Sequence, residues 1–463
     1  MSLVIDQTAD ISVKQAEKSV YRWRKLVQVN GGGNLNLSSS TTLSQFNIPN
    51  SVYNFSRSYL QFDVSEAKQT SYSSFYVDSA PINSIRLQSS KGEILVDLQN
   101  AQVYSRVTSL FKSQKECDYG VSSSTTVALS TNQASLCNIG YNAARTTANL
   151  SLNIASDAMV VDDVAGTSTA ISALDTKSGY IKIQHLVSSG LDAVNAFRYK
   201  FDLASICNGT LIGCDKDLFL NDNLLLTIYW QPYNQWGFKS DVDGANTVIL
   251  TAAPTITNYN LFMCEQMNIN LIENYRTAVN QGVKMVVPYV QANQLSTQAA
   301  AGYVSMSSNL SAGMGLKLKR ILTIVINSTN SLNKTSDIYN VGSVKWSQIQ
   351  STWNAKPIQD QFLNVDDSSL YNYHVSKLND TLINAQRTYY ENCFFLDDFS
   401  NSDSVSDYRK NDMELSGLDM GMNNNVYTVQ INQTHTASLI LCQFQVFNRM
   451  LMVSNQGLSW VSE

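Results

Sequence analysis

Three runs of alternating apolar and polar residues, followed by one helical stripe, occupy residues 58–112 and constrain the fold more than any other feature. Alternation with a period of two, bounded by turn residues, is typical of antiparallel strands with one buried face. A tight turn at Ser89, Ser90, Lys91 and Gly92 joins the second run to the third. The runs are residues 58–64, 82–87 and 93–98, and the stripe is Val103, Tyr104, Val107, Leu110 and Phe111. This stretch predicts a sheet with a short helix in its connection.

The same order, strands first and then a helix, recurs in the second half of the chain. Residues 282–289 predict a strand that Pro288 brings to an end, and residues 316–326 predict a longer apolar strand. Trp346, Ile349 and Trp353 recur at helical spacing before Pro357, which predicts a short helix. The other predicted strands are 180–183, 223–230, 261–272, 426–431, 438–447 and 450–453, and the second helical stripe is Tyr371, Val375, Leu378 and Leu382.

The repeated order and the length of 463 residues predict an all-β chain of two consecutive eight-stranded antiparallel jelly rolls. Each roll, with short helices in its connections, needs about 180–230 residues, so two account for the chain. We place the first roll at 26–278, with a long polar loop near 118–177, and the second roll at 279–463.

Residues 1–25 differ from the rest and predict an N-terminal arm ahead of a triple glycine. Basic and aromatic side chains alternate there, as in segments that lie on a protein neighbour, on membrane headgroups or on nucleic acid. A short helix packed under its own domain is the plainer alternative. The candidate assembly or inner-face residues are Lys14, Lys18, Tyr21, Arg22, Trp23, Arg24 and Lys25.

The sequence offers little that resembles reactive chemistry. His185, His374 and His435 are isolated, and no metal-ligand or phosphate-loop spacing occurs, so no catalytic residue, metal or cofactor is predicted. Paired acids such as Asp397-Asp398 could bind calcium or act as acid and base, but they make poor pairs because neighbours in a strand point to opposite faces, and solvated loop acids are the expectation. The net charge of −5 argues against a dedicated nucleic-acid binder.

Four stretches, taken in order, resemble the double-jelly-roll major capsid proteins of the tailless-phage and adenovirus lineage. In the pattern of these stretches, the chain is most similar to the capsid proteins of virophages and polinton-like viruses. The stretches are residues 59–64, 85–100, 322–328 and 447–457, within a resemblance that spans roughly 26–463.

The resemblance implies a non-enzymatic major capsid protein located in the virion. Three copies would form a pseudo-hexagonal capsomer that tiles an icosahedral shell. The expected partners are neighbouring capsomers, penton and minor capsid proteins, and an internal membrane reached by the N-terminal arm, with no specific nucleic acid.

Two other classes remain open on the sequence alone. A multi-domain β-sandwich adhesin or carbohydrate-binding protein would carry a secretion signal and disulfides, whereas residues 1–10 lack a signal pattern and the seven Cys are scattered. A β-rich enzyme would need carboxylates converging in a cleft, which a single sequence does not reveal.

Overall fold

The structure is a computed structural model that shows a chain built mainly of antiparallel strands. The residues it describes are 19–67, 72–76, 82–110, 125–128, 136–138, 150–153, 158–162, 168–170, 182–186, 194–207, 209–233, 237–240, 247–249, 253, 255–296, 302–310, 316–327, 346–364, 369–374, 394–399, 417–421, 425–433 and 439–461.

Eighteen strands precede the longest helix and pair only among themselves in the described residues. They are β1 (Tyr21–Val27), β2 (Thr42–Ile48), β3 (Val52–Ala67), β4 (Tyr72–Tyr76), β5 (Ile82–Ser89), β6 (Ile94–Leu98), β7 (Thr125–Ala128), β8 (Leu136–Asn138), β9 (Leu150–Asn153), β10 (Ala158–Asp162), β11 (Ser168–Ala170), β12 (Lys182–Leu186), β13 (Val194–Asp202), β14 (Asp217–Phe219), β15 (Leu224–Trp230), β16 (Gly237–Ser240), β17 (Thr247–Ile249) and β18 (Thr255–Gln266).

Two sheets of this first group face each other across an aromatic core. One runs in the order β1-β18-β3-β13-β7, with β14 beside β3, and the other in the order β2-β15-β5-β6. Phe62 of β3 meets Trp230 of β15 edge-on, with ring centroids 5.3 Å apart. The buried Tyr259 hydroxyl lies 2.8 Å from Ser44 Oγ in the opposite sheet, and Trp230 Nε1 donates to the same Oγ at 3.0 Å, so these buried polar groups are satisfied. Smaller sheets run in the orders β17-β16-β4-β12-β8 and β11-β10-β9, which gives the predicted long loop some strand content.

The second group forms another two-sheet sandwich. Its strands are β19 (Val283–Ser296), β20 (Gly302–Leu310), β21 (Lys317–Asn327), β22 (Trp346–Trp353), β23 (Lys356–Pro357), β24 (Leu363–Asn364), β25 (Phe394–Asp398), β26 (Leu418–Asp419), β27 (Asn425–Gln433), β28 (Leu439–Ser454) and β29 (Gly457–Val461). One sheet runs β19-β28-β21-β25, with β26 beside β21 and β29 beside β28. The other runs β20-β27-β22-β23, with β24 beside β22, and Ser308 donates a hydrogen bond to Gln443 across the interior.

Among the residues that the structure describes, four α-helices lie in the connections: α1 (Ala101–Leu110), α2 (Leu203–Ile206), α3 (Ile269–Gln281) and α4 (Ser369–His374). α1 is the helix predicted from the stripe at 103–111, and α4 contains the start of the second predicted stripe, whose later positions lie outside the described residues. The side chain of Asn268 caps α3 by accepting from the backbone N–H groups of Asn270 and Leu271. Gly282 ends the helix with φ of 83°, a conformation that glycine adopts without strain.

The structure corrects four predicted elements. The expected helix at Trp346–Trp353 is the strand β22, and the expected strand at 261–272 stops at Gln266 before α3. β19 continues through Pro288 to Ser296, because it is an edge strand whose only described neighbour is β28. The two strands expected at 438–447 and 450–453 are one strand, β28.

Candidate assembly surface

The predicted arm is part of a sheet over its last five residues. Tyr21 to Lys25 belong to β1, which pairs antiparallel with β18 from Tyr21–Gln266 to Val27–Asn260. This corrects the arm boundary at residue 25. Lys14 and Lys18 lie outside the described residues, so the inner-face role of the candidate set stays a prediction.

Polar contacts fix β1 to the sheet at its amino end. The Arg22 and Arg24 guanidinium groups lie 2.8 and 3.4 Å from the nearly buried carboxylate of Glu265. The Tyr21 hydroxyl donates to the buried Asp217 carboxylate at 3.0 Å, and burial raises the pKa of Tyr21 to about 12. Two of the basic side chains in this segment are therefore paired with a carboxylate of the same subunit.

Exposed apolar side chains gather along β1. Trp23 is 53% exposed, and Ile269, next to the start of β1 through the Met267–Val20 backbone hydrogen bond, is 72% exposed. Seven of the eleven exposed large hydrophobic residues described lie on or directly beside β1. We call this set the β1 strip: Val20, Trp23, Val27, Val29, Leu43, Met267 and Ile269. Apolar surface gathered in this way is typical of a surface that another molecule covers.

The two sandwiches meet along a second surface, which we call the roll seam. Part of it is the contact of Tyr104 of α1 with Phe444 of β28, both fully buried, with ring centroids 5.1 Å apart. At its edge Asn221 donates to the carbonyl of Ser454 at 3.0 Å, and Lys91 donates to the carbonyl of Gln456. The sequence did not predict the seam, because the pattern around each of its residues indicates only a buried core position or a turn.

A buried carboxylate lies inside the second sandwich. Asp397 is 1% exposed and accepts hydrogen bonds from Tyr427 at 2.6 Å, Tyr373 at 2.8 Å and Gln359 at 3.2 Å. Burial raises the pKa of Asp397 despite these bonds. Asp398, on the opposite face of β25, pairs with the buried Arg320 at 3.0 Å. The prediction of solvated loop acids was therefore wrong for this pair.

His374 lies close by, and it is a packed residue. Its Nε2 lies 3.0 Å from the backbone carbonyl oxygen of Leu396 and 3.2 Å from the backbone nitrogen of the same residue, and its ring stacks on Phe394 at 5.6 Å. Burial lowers the pKa of His374 to about 3, which keeps the imidazole neutral. The described residues hold no group of three His, Cys, Asp or Glu side chains suited to a metal ion. Within the same residues, no helix combines the length and hydropathy that a membrane crossing needs.

Four cysteines are buried in the two sandwiches as thiols. They are Cys207, Cys214, Cys264 and Cys442, which form no disulfide. Burial raises the pKa of Cys264 to about 11 and that of Cys442 to about 12, so these thiols are protonated and unreactive near neutral pH.

No protein-family model and no curated protein matches the chain. Solved structures do. The VP54 protein of PBCV-1, fitted into a reconstruction of the virophage Sputnik, is 9% identical with a TM-score of 0.55, over 96% of this chain and 98% of that one. A chain of the Sputnik virophage is 14% identical with a TM-score of 0.51, over 100% and 90%. The Faustovirus major capsid protein is 9% identical with a TM-score of 0.52, over 94% and 91%.

These likenesses extend over nearly the whole chain and include both sandwiches. The chain therefore has the double-jelly-roll fold of viral major capsid proteins, which confirms the predicted fold class, whereas the count of eight strands in each roll stays a prediction.

Proposed function

We propose that this chain is a major capsid protein, a structural and non-enzymatic subunit of a virion shell. The observation that carries the proposal is the match of both sandwiches, in order and over 96% of the chain, to a capsid protein covered to 98%. A likeness confined to one sandwich would fit many β proteins. Each structure compared above is a viral capsid protein, so the adhesin alternative is not favoured.

The proposed unit is a homotrimer with a pseudo-hexagonal outline. Two sandwiches joined by the roll seam make one elongated subunit, and three such subunits supply six lobes around a three-fold axis. A six-lobed block can be surrounded by six others in a flat layer, which suits the facets of an icosahedral shell. The low share of charged residues, 15%, suits flanks that pack without strong repulsion.

The domain division at 278/279 is part of the same proposal. It is supported by strand pairing, because in the described residues no strand of β1–β18 pairs with any of β19–β29. α3 spans Ile269–Gln281 and therefore crosses the proposed boundary. The first unit is extended to include β1, which pairs with β18.

The remaining partners are proposed from the capsid role. Neighbouring capsomers, penton and minor capsid proteins would contact the flanks, and no specific nucleic acid is expected. Lys14 and Lys18, ahead of β1, are the residues proposed to reach the inner face and an internal membrane.

Light scattering on the purified full chain tests the proposal. We expect a mass of three times 51.3 kDa, and closed shells by electron microscopy when the chain is concentrated with its co-expressed minor proteins. A stable monomer that forms no particles would contradict the proposal.

A further inference from the structure

β1 ends its sheet and leaves one side of its backbone without a described strand neighbour. The sheet order begins β1-β18-β3, and all seven β1 residues pair on the β18 side. Exposed edge strands invite contact with another chain, and proteins usually protect them with charged side chains or proline. β1 has three charged residues, Arg22, Arg24 and Lys25, but it also carries Trp23 and Val27, which project to the same face and are about half exposed.

The area of the β1 strip fits a protein interface. A large aromatic side chain such as Trp23 has roughly 150–250 Å² of surface, and about half of it is exposed here. Together with the exposed parts of the six smaller members, the strip presents apolar surface on the order of 600 Å². A standard interface covers about 800 Å² on each partner, with an apolar, aromatic-rich centre and a polar rim. Trp23 would supply such a centre, and Lys25, on the same face of β1, would belong to the rim.

The charges around the strip favour a second copy of this chain over a lipid surface. Arg22, Arg24, Lys25 and Arg57 stand against Glu265, Asp215 and Asp217, so the neighbourhood of the strip is slightly positive while the whole chain carries −5. A near-balanced patch gains little from anionic headgroups, which attract unpaired basic residues. A near-balanced, partly apolar patch does allow a second copy to approach without charge repulsion, and the apolar members of the strip then supply the attraction.

We propose that the β1 strip is a contact surface between copies of this chain, with Trp23 as its central anchor. The inference rests on the proposed capsid function, which requires copies to lie side by side, and it names the surface that joins them. In a closed trimer the contact is heterologous, so the strip of one copy packs on a different surface of the next.

Paired substitutions test the proposal. Trp23→Thr with Val27→Thr removes the apolar surface and keeps strand-forming residues at both positions. The matched control is Tyr303→Thr with Leu295→Thr, two exposed large residues on strands of the second sandwich. A second test variant, Val27→Lys, leaves Trp23 in place and adds the edge lysine that blocks strand contacts. Thermal unfolding by circular dichroism identifies any variant that fails to fold.

The readouts are the mass by light scattering across a concentration series and particle formation by electron microscopy. Loss of a central aromatic anchor typically weakens association by about tenfold or more, and a lysine beside the anchor brings an unpaired charge into the contact. Both strip variants should therefore raise the half-association concentration by about tenfold or more, with the control unchanged. Strip variants that associate like the wild type would overturn the inference and leave the capsid role standing.

Two further outcomes separate the alternatives. A wild-type protein that is monomeric and forms no particles would contradict both the capsid role and the inference. Flotation with phosphatidylserine–phosphatidylcholine vesicles that depends on Trp23, together with unchanged self-association, would overturn the inference in favour of a lipid contact.

Discussion

Two buried ionisable residues in the second sandwich should respond to pH in opposite directions. Asp397 has a raised pKa because burial disfavours its charged form, and His374 has a pKa lowered to about 3 for the same reason. As the pH rises, Asp397 loses its proton at a lower pH in the unfolded chain than in the folded protein. The stability that this residue contributes is therefore present at low pH and falls above about pH 4. As the pH falls, His374 gains its proton at a higher pH in the unfolded chain than in the folded protein. The stability that this residue contributes is therefore present at neutral pH and is lost below about pH 6.5.

Asp397→Asn should flatten the loss of stability on the alkaline side. The amide is neutral at every pH and has nearly the shape of the protonated carboxyl group that the folded protein favours. We expect the melting temperature of the variant, relative to wild type, to rise as the pH increases from 4 to 7. Calorimetry across that range measures the difference, and parallel pH curves for the two proteins would contradict the raised pKa.

His374→Gln should make the protein less sensitive to acid. Glutamine can place a neutral acceptor near the position of Nε2 and does not gain a proton in this range. We expect a lower stability than wild type at pH 7, where the stack on Phe394 is missed, and a smaller decrease between pH 6.5 and 4. Denaturant unfolding at four pH values checks this, and an equal decrease in both proteins would rule out His374 as the source.

At the scale of strands, the pairing of β26 with β21 depends on a close backbone approach. Gly417 has φ of 122°, and a Cβ at this position would overlap the carbonyl group of Leu318. Gly302 has almost the same φ, 123°, with open space where its Cβ would be. The two positions therefore share backbone strain and differ in packing.

Gly417→Ala should lower the free energy of unfolding more than Gly302→Ala. Both variants gain the strain of an alanine at positive φ, of the order of 1–3 kcal/mol, and only Gly417→Ala also pushes β26 from its partner. We expect a further loss of about 2 kcal/mol, measured by chemical denaturation. Equal losses would show that β26 shifts without cost.

The strands that the sequence predicted best have one clearly buried face. Residues 58–64, 82–87 and 316–326 fall within β3, β5 and β21, apart from the first residue of the last run. β22 was mistaken for a helix because its buried face includes the polar Ser351, which Gln359 satisfies at 3.0 Å, so the alternation is hidden. The alternation at 261–272 ran on past the strand end, and the cap at Asn268 was the signal that could have corrected it.

At the scale of the whole molecule, the roll seam determines whether the sandwiches behave as one body. The order of strands predicted two sandwiches, but a contact between residues 340 positions apart leaves no local pattern to detect. The same limit applies to the β1 strip, because basic residues near the N-terminus suggested an arm and the strand pairing with β18 lies far along the chain.

Phe444→Ala should destabilise the second sandwich and loosen α1 in the first. Truncating a fully buried Phe costs about 3–5 kcal/mol, and part of this cavity would border Tyr104. We expect faster amide exchange in Ala101–Leu110 relative to β3, measured by hydrogen–deuterium exchange. Ile431→Ala, in the sheet of β27, should cost a similar amount and leave the ratio unchanged. An unchanged ratio in both variants would contradict a mechanical link through the seam.

The pairing of β1 with β18 also has a consequence for synthesis on the ribosome. Val20 bonds to Gln266, 246 positions later, so the first strand described, β1, lacks its described partner β18 until most of the first sandwich has emerged. At roughly 5–20 residues per second, translation of that length takes on the order of 10–50 seconds. Throughout that interval Trp23 and its neighbours are exposed on nascent chains that can crowd together on one messenger, which makes chaperone protection most valuable before residue 266 appears.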